Sequence, residues 1–362
     1  MSPETAPRTQ TNRSGPDHRH VLITHADEPL GRRLVKRLFH DEAVESILAV
    51  GSGPPPRSFD HFLSNSGGRL RYARVDLARH RPVAELFHSA SLRSGAVDSV
   101  IHVPRHGPAE EPARPIVAGV AERTAEARLV LQQCLQTRSI GSLIVLGSAF
   151  IYRLPPGNAN RLTEDSELNL DPDASAELRS WVDCDMIFHG EVHNRSLRVV
   201  LLRVPTVVAS GGALFLNPSI ASADRNGWPG GLRADLRPMG YDPICALVCD
   251  KDVAAAARQA LHAANSGVYN VAGHEALPLS LLSRWTGRWN LPVPGSLLSA
   301  ASKLAHLMGS DTLAASLDEP LLRHGFTLDT SRAQRDLGFR PGYRIGLARA
   351  GDGQLRIETA PV

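Results

Sequence analysis

Short, almost wholly apolar runs alternate along this chain with longer segments of helical periodicity. That alternation constrains the fold more than any other feature. Residues 20–24 (HVLIT), 46–50 (SILAV), 70–75, 99–103 (SVIHV), 143–146 (LIVL) and 198–204 (RVVLLRV) read as strands. They show no polar alternation, so both of their faces must be covered. Between them, Leu30, Leu34, Val35, Leu38 and Phe39 recur at helical spacing, and residues 118–137 and 174–193 read as further helices. Strand, helix, strand in repetition implies an α/β fold: a doubly wound parallel sheet with right-handed crossovers.

The chain has 362 residues, enough for one large α/β unit with a smaller partner and a core that needs no disulfide or metal staple. Residues 1–19 are polar and read as a disordered tail, not a signal peptide. Residues 20–212 form the main sheet domain, to which 243–273 return. Residues 213–242, rich in Gly, Pro and Asn, and residues 274–345 form a smaller C-terminal lobe. Residues 346–362 are expected to fray. Forty basic residues against 37 acidic give a net charge of +3, which argues for neither nucleic acid nor membrane. No apolar run reaches membrane-spanning length, so the expected location is the cytoplasm. Cys134, Cys184, Cys245 and Cys249 lack any CxxC or zinc spacing and read as reduced thiols. No metal site is expected.

In a doubly wound sheet the ligand lies at the carboxyl ends of the strands. The first such turn is Thr24-His25-Ala26-Asp27-Glu28-Pro29-Leu30-Gly31. Asp76-Leu77 follows the third strand and Asp98-Ser-Val-Ile-His102 forms the fourth. Gly147-Ser148-Ala149-Phe150-Ile151-Tyr152 follows the fifth. Leu202-Arg203, Asp250-Lys-Asp252, Val268-Tyr-Asn270 and Leu337-Gly-Phe-Arg-Pro341 come later. In order and spacing these pieces resemble the extended short-chain dehydrogenase/reductase superfamily, the NAD-dependent epimerase/dehydratase family. The resemblance runs from about residue 20 to residue 341. Leu291-Pro-Val-Pro-Gly295 is similar to a UDP-glucose-4-epimerase-like actinobacterial branch. The resemblance implies a Rossmann-like nucleotide-binding domain with NAD or NADP as cofactor. It also implies a sugar-nucleotide-like ligand and a homodimer through the long helices. Its cofactor positions fall on His25, Glu28, Leu30, Gly31, Asp76, Leu77, Val103 and Ser148.

The departures carry the argument about activity. Where the family has Thr-Gly-x-x-Gly-x-Leu-Gly, only the third glycine survives, as Gly31. His25 and Glu28 replace the other two, with Asp27 beside them. A carboxylate about 4 Å from a phosphate repels it by roughly 1–4 kcal/mol. The bland alternative is that Asp27 caps the helix, Pro29 sits in its first turn, and nothing binds. The second strand ends in Gly51, where an acid for the NAD ribose belongs. Arg57 is the nearest cation for an NADP phosphate, and a solvated loop arginine is its plainer reading. Asp76 likewise reads as either an adenine contact or a cap.

The family runs proton transfer through a Tyr and a Lys four residues later on one helix. Here the matching register places Trp181 and Asp185. None of the five tyrosines (72, 152, 241, 269 and 343) has Lys four residues on. An indole cannot shuttle a proton, and a carboxylate cannot depress a tyrosine. Ser148 alone remains of the catalytic set, and a serine at a strand end is also a common turn former. The Trp181 ring is expected to fill the nicotinamide space, with Asp185 facing the ribose site.

Other clusters have plainer readings beside sharper ones. Asp185 with His189, near Asp183 and Glu191, reads as an acid/base pair, half a metal site or an exposed charged face. His102, Arg105 and His106 read as an anion site or as solvated loop residues. Trp285 and Trp289 at helical spacing read as core or as a stacking platform. Arg32, Arg33, Lys36 and Arg37 read as a solvated helix face rather than a nucleic-acid surface. Three functional readings stand. The residues favour a non-catalytic binding or regulatory protein. The alternatives are an NAD(P)-dependent sugar-nucleotide epimerase or oxidoreductase with an unconventional acid, and a non-redox lyase or isomerase in the same cleft.

Overall fold

The computed structural model describes residues 19–65, 67–91, 96–105, 116–154, 161–174, 176–209, 214–215, 234–285, 289–297, 300, 303, 325–349 and 355–362. The expected tail before Arg19, His106, and much of the expected lobe at 216–233 and 304–324 lie outside them. In chain order the first half gives β1 (Arg19–Ile23), α1 (Pro29–Phe39), β2 (Val44–Gly51), α2 (Asp60–Asn65), β3 (Leu70–Arg74), α3 (His80–Ser91), β4 (Ser99–His102), α4 (Ile116–Gln136) and β5 (Ser142–Ser148). Then come β6 (Arg161–Leu162), α5 (Ala176–His189), β7 (Arg198–Val204), β8 (Thr206–Val208), β9 (Leu214–Phe215), β10 (Ala234–Pro238), β11 (Ile244–Cys249) and α6 (Asp250–His262). The chain closes with β12 (Gly267–Asn270), β13 (Ala276–Pro278), α7 (Leu279–Trp285), β14 (Trp289–Val293), β15 (Thr327–Leu328), α8 (Ser331–Asp336), β16 (Tyr343–Arg349) and β17 (Leu355–Pro361).

Seven strands form one sheet in the order β12-β7-β5-β4-β1-β2-β3. Every pairing in it is parallel. The chain therefore has the doubly wound, Rossmann-like α/β fold that its strand pattern implies. β5 is buried at all seven positions, as a strand covered on both faces must be. One core layer joins Leu30, Leu34, Val35 and Leu38 of α1 to Val253, Ala256, Ala257 and Ala260 of α6. The other joins Val83, Leu86 and Phe87 of α3 to Ala127, Val130 and Leu131 of α4. The alanines along α6 let that helix approach α1 and the sheet closely. All four cysteines are free thiols.

A second sheet, β13-β11-β8-β9, continues from β7 through β8. Two features differ from the sequence reading. Residues 355–361 do not fray: β16 and β17 pair antiparallel from Tyr343 with Pro361 to Arg349 with Leu355. Ile345 and Ile357, each 5% exposed, pack with Val208, Leu247 and Leu282. Alternating apolar residues supply that contact, a period-2 signal that is weak in a run this short. Trp285 and Trp289 do not share a helix either. α7 ends at Trp285, which packs on the second sheet, while Trp289 opens β14 and is 69% exposed.

Candidate functional site

The sheet positions a polar cluster where β1 meets α1. His25 is the one non-glycine residue with positive φ, 44°, among the described residues. It keeps the backbone shape of a glycine position but adds a buried ring. Its Nε2 lies 2.9 Å from Oε2 of Glu126 on α4, and both side chains are 1% exposed. Burial opposes charge on the ring, yet the Glu126 carboxylate outweighs it and the pKa of His25 is raised. Burial likewise works against the Glu126 anion, but the His25 charge and hydrogen bond hold its pKa below the ordinary value. The two form a buried ion pair. Arg105 adds a second cation, 3.9 Å from Glu126 Oε1 and 4.0 Å from Glu122.

His102 stands beside this pair with the opposite character. Burial first, and then the His25 charge, push its pKa down to about 3, so its ring is neutral. Its Nδ1 lies 3.0 Å from the Thr24 hydroxyl oxygen, which accepts from the Val103 amide at 2.9 Å. His102 therefore locks the ends of β1 and β4 together.

Asp27 and Glu28 do different work from the capping read in sequence. Glu28 is the residue before α1, but its side chain makes no capping bond. Burial, aided by Asp27, raises its pKa. Asp27 reaches across to the end of β2, where one carboxylate oxygen accepts from the Ser52 amide at 2.9 Å, the Gly53 amide at 3.0 Å and the Ser52 hydroxyl at 3.2 Å. The Tyr72 hydroxyl donates to the Gly53 carbonyl at 2.9 Å and closes the group. A Cβ on Gly51 would strike that hydroxyl and come within 2.6 Å of Asp27 Cγ. Gly31 keeps a packing role, since a Cβ there would meet the His25 carbonyl and lie 2.8 Å from Ala26 Cα.

The remaining cofactor positions are mostly engaged within the protein. Leu30, Leu77 and Val103 are 3%, 1% and 0% exposed and belong to the core. Asp76 accepts from the Ala78 amide at 3.1 Å and pairs with Arg79 at 3.1 Å, just ahead of α3. Ser148, 2% exposed, accepts from the Phe150 amide at 3.2 Å and so opens the short 3-10 turn after β5.

On α5, Trp181 is 4% exposed and its ring lies under the Arg123 guanidinium at 4.3 Å. Arg123 also donates to Glu177 at 2.9 Å, Ser180 at 3.0 Å and the Arg105 carbonyl at 3.1 Å. Both oxygens of Asp185 are taken by Arg203 of β7, at 2.9 and 2.7 Å, and both side chains are 1% exposed. Asp185 is thus buried against Arg203 rather than open to a ligand. Arg203 continues to the Tyr152 hydroxyl at 3.1 Å and the Glu164 carbonyl at 3.0 Å. Tyr152 donates to Asn270 at 2.6 Å. Sequence reasoning missed Glu126 and Arg123 as site residues, because they sit mid-helix in α4 with no motif around them. Asp183 and His189 are exposed, and His189 lies 3.8 Å from Asp185. Among the described residues no group of three His, Cys, Asp or Glu is placed to hold a metal ion. Among them, too, no helix is long and apolar enough to cross a membrane.

A dinucleotide pyrophosphate needs free loop amides and a helix N-terminus clear of acid. Here the Ala26 amide donates to Val50, the Glu28 amide donates to His25, and Pro29 has no N–H. Glu28 stands at the helix start and Asp27 occupies the amides after β2. The residues present do not fit the group.

No family model matches the chain. An uncharacterised protein of Mycobacterium tuberculosis is 24% identical over 330 residues, covering 89% of this chain and 80% of that protein. An uncharacterised Mycobacterium bovis protein matches to the same extent. Among solved structures, UDP-glucose 4-epimerase of Thermotoga maritima with UDP-glucose superposes with a TM-score of 0.59 at 14% identity, over 90% of this chain and 94% of that one. The dTDP-glucose 4,6-dehydratase DesIV of Streptomyces venezuelae, with NAD bound, gives 0.60 at 17% identity, over 92% and 94%. The chain therefore shares the overall fold of these epimerase and dehydratase structures.

Proposed function

We propose that this protein is a catalytically silent relative of the NAD-dependent epimerases and dehydratases, working as a binding or regulatory protein. One observation carries the reading: the buried His25–Glu126 pair, 2.9 Å apart, built into the turn that would receive a pyrophosphate. A cofactor phosphate placed there would face Glu126, Glu28 and Asp27. It would also have to displace hydrogen bonds the protein makes to itself. Dinucleotide binding is weak or lost on this reading. The engagement of both Asp185 oxygens by Arg203 supports it, because proton transfer contributes typically 10²–10⁴ in rate and the described α5 carries no Tyr–Lys pair to perform it.

Fold neighbours that bind UDP-glucose make a sugar-nucleotide-like ligand the natural candidate for what the cleft retains. A homodimer through α4 and α5 belongs to the same reading, since Leu135 and Met186 on those helices are 39% and 51% exposed. The test is calorimetric titration of the purified protein with NAD⁺, NADP⁺, NADH and NADPH. The expected outcome is no binding tighter than about 10 µM. Tighter binding, or turnover of a sugar nucleotide near the usual enzyme range of about 1–10³ s⁻¹, overturns the proposal.

A further inference from the structure

Helix α1 carries Arg32, Arg33, Lys36 and Arg37 within two turns. On an open helix face such a run needs only water. Here Arg32, Arg33 and Lys36 are half-buried. Together with Pro29, Pro56, Arg57, Ser58, Ala209 and Asp250 they line a cavity of about 480 Å³. Four cations thus face one carboxylate. Asp250, 5% exposed, is matched to Arg33, whose Nε lies 2.7 Å from Oδ2. Among the described residues, Arg32, Lys36 and Arg57 form no ion pair. Arg32 also feels the nearby Glu28 carboxylate, whose pKa burial raises.

Like charges gathered on a half-buried surface repel one another more strongly than they do in bulk water. A bound anion is the ordinary remedy. We propose that this cavity binds a small phosphorylated anion, a phosphate ester or phosphoanhydride, between α1 and the 57–59 turn. Three unmatched cations suit a ligand of two or three negative charges. Two of them are arginines, whose planar forks match phosphate oxygens in bidentate fashion. The volume lies in the range of small-molecule sites and exceeds what a lone counter-ion requires. Pro54, Pro55 and Pro56 restrict the backbone ahead of Arg57, so it is presented with little loss of chain entropy.

This ligand arrives on its own, not as part of a dinucleotide lying along the ends of β1 and β2. Asp27 covers the Ser52 and Gly53 amides between the β1–α1 turn and Arg57. The proposal does not depend on whether the cleft is catalytic.

The test is calorimetry on the full chain at low salt with inorganic pyrophosphate, AMP and NADP⁺. Pyrophosphate measures an anhydride source and AMP an ester source. Saturable binding of either, at one per chain and weakening as salt rises, is the expected result. Arg57→Glu and Arg32→Glu should each weaken it about tenfold or more. Arg57 lies in an exposed turn, and a circular dichroism spectrum equal to that of the parent protein establishes that its variant folds. The proposal fails if neither pyrophosphate nor AMP binds by about 10 mM. It fails equally if binding is unchanged in both variants. Binding of NADP⁺ without binding of the other two also overturns it, since the pocket would then be a dinucleotide subsite.

Discussion

His25 holds a left-handed backbone conformation that costs a non-glycine residue roughly 1–2 kcal/mol. The cost is offset by its ring's bond to Glu126. Replacing His25 by Gly removes the strain but strands a buried carboxylate, and breaking a buried pair costs about 3–5 kcal/mol. The net expectation is a loss of about 1–4 kcal/mol by urea unfolding, with Glu126→Gln added to His25→Gly restoring part of it. The pair also sets a pH dependence. The pKa of His25 is raised above the ordinary 6.5, so its contribution is full below that value and is lost as pH rises through the folded-state pKa. The pKa of Glu126 lies below its ordinary 4.5, so its contribution is full above that value and is lost as pH falls. The pair is strongest between these ordinary values. Wild-type stability relative to the His25→Gly, Glu126→Gln double variant should shrink as pH climbs beyond about 6.5. A difference that instead grows as pH rises from about 5 to 7 would show that the ring is neutral in the folded state.

At the scale of elements, α5 carries the clearest consequence. Its register puts Trp181 and Asp185 where the sequence resemblance places a Tyr and a Lys, yet these residues are tied into structure. Introducing Lys at Asp185 sets a second cation against Arg203 in a site 1% exposed. Asp185→Lys should therefore lower stability by about 3–5 kcal/mol or abolish soluble expression. Asp185→Leu combined with Arg203→Met should be far milder, because removing both charges leaves none unpaired. Equal loss in the two variants would mean that the pair itself is not what matters. The β1–α1 turn shows how far sequence could be read. Missing glycines at His25 and Glu28 were visible, and so was the misfit to a phosphate. That Asp27 caps the end of β2 rather than α1 was not, because the amides it meets lie 25 residues away in sequence at Ser52. Glu126 was hidden for the same reason, at 101 residues from His25. Strand and helix order was legible because it rests on local periodicity, whereas partners across the sheet are chosen by tertiary contact. The basic face of α1 was legible as charge, but the cavity it lines together with the 57–59 turn was not.

For the whole molecule, the ends of the chain decide how the second sheet is sealed. The closing hairpin of β16 and β17 brings Ile345 and Ile357 onto Val208, Leu247 and Leu282, beyond the limits of the seven-stranded sheet. Val208 lies on β8, which follows β7 and its Arg203 along the chain, so the hairpin packs on the strand next to that residue's own. Lys251 of α6 stands 4.5 Å over the ring of Tyr343, tying the hairpin to the helix whose first residue, Asp250, lines the basic cavity. The Gly342 amide donates to Asp252 at 2.8 Å and fixes the same junction. Deleting residues 355–362 should thus do more than trim a tail. It uncovers Ile345 and removes Ile357, each worth about 1.5–3 kcal/mol of burial, and leaves β16 with an unpaired edge. A fall in Tm of several degrees and a tendency to aggregate are the expected outcomes, measured by thermal unfolding and light scattering. Ile357→Ala in the full-length chain should reproduce about 2–3 kcal/mol of that loss with the edge still paired. If the deletion leaves Tm unchanged, the hairpin does not seal the second sheet.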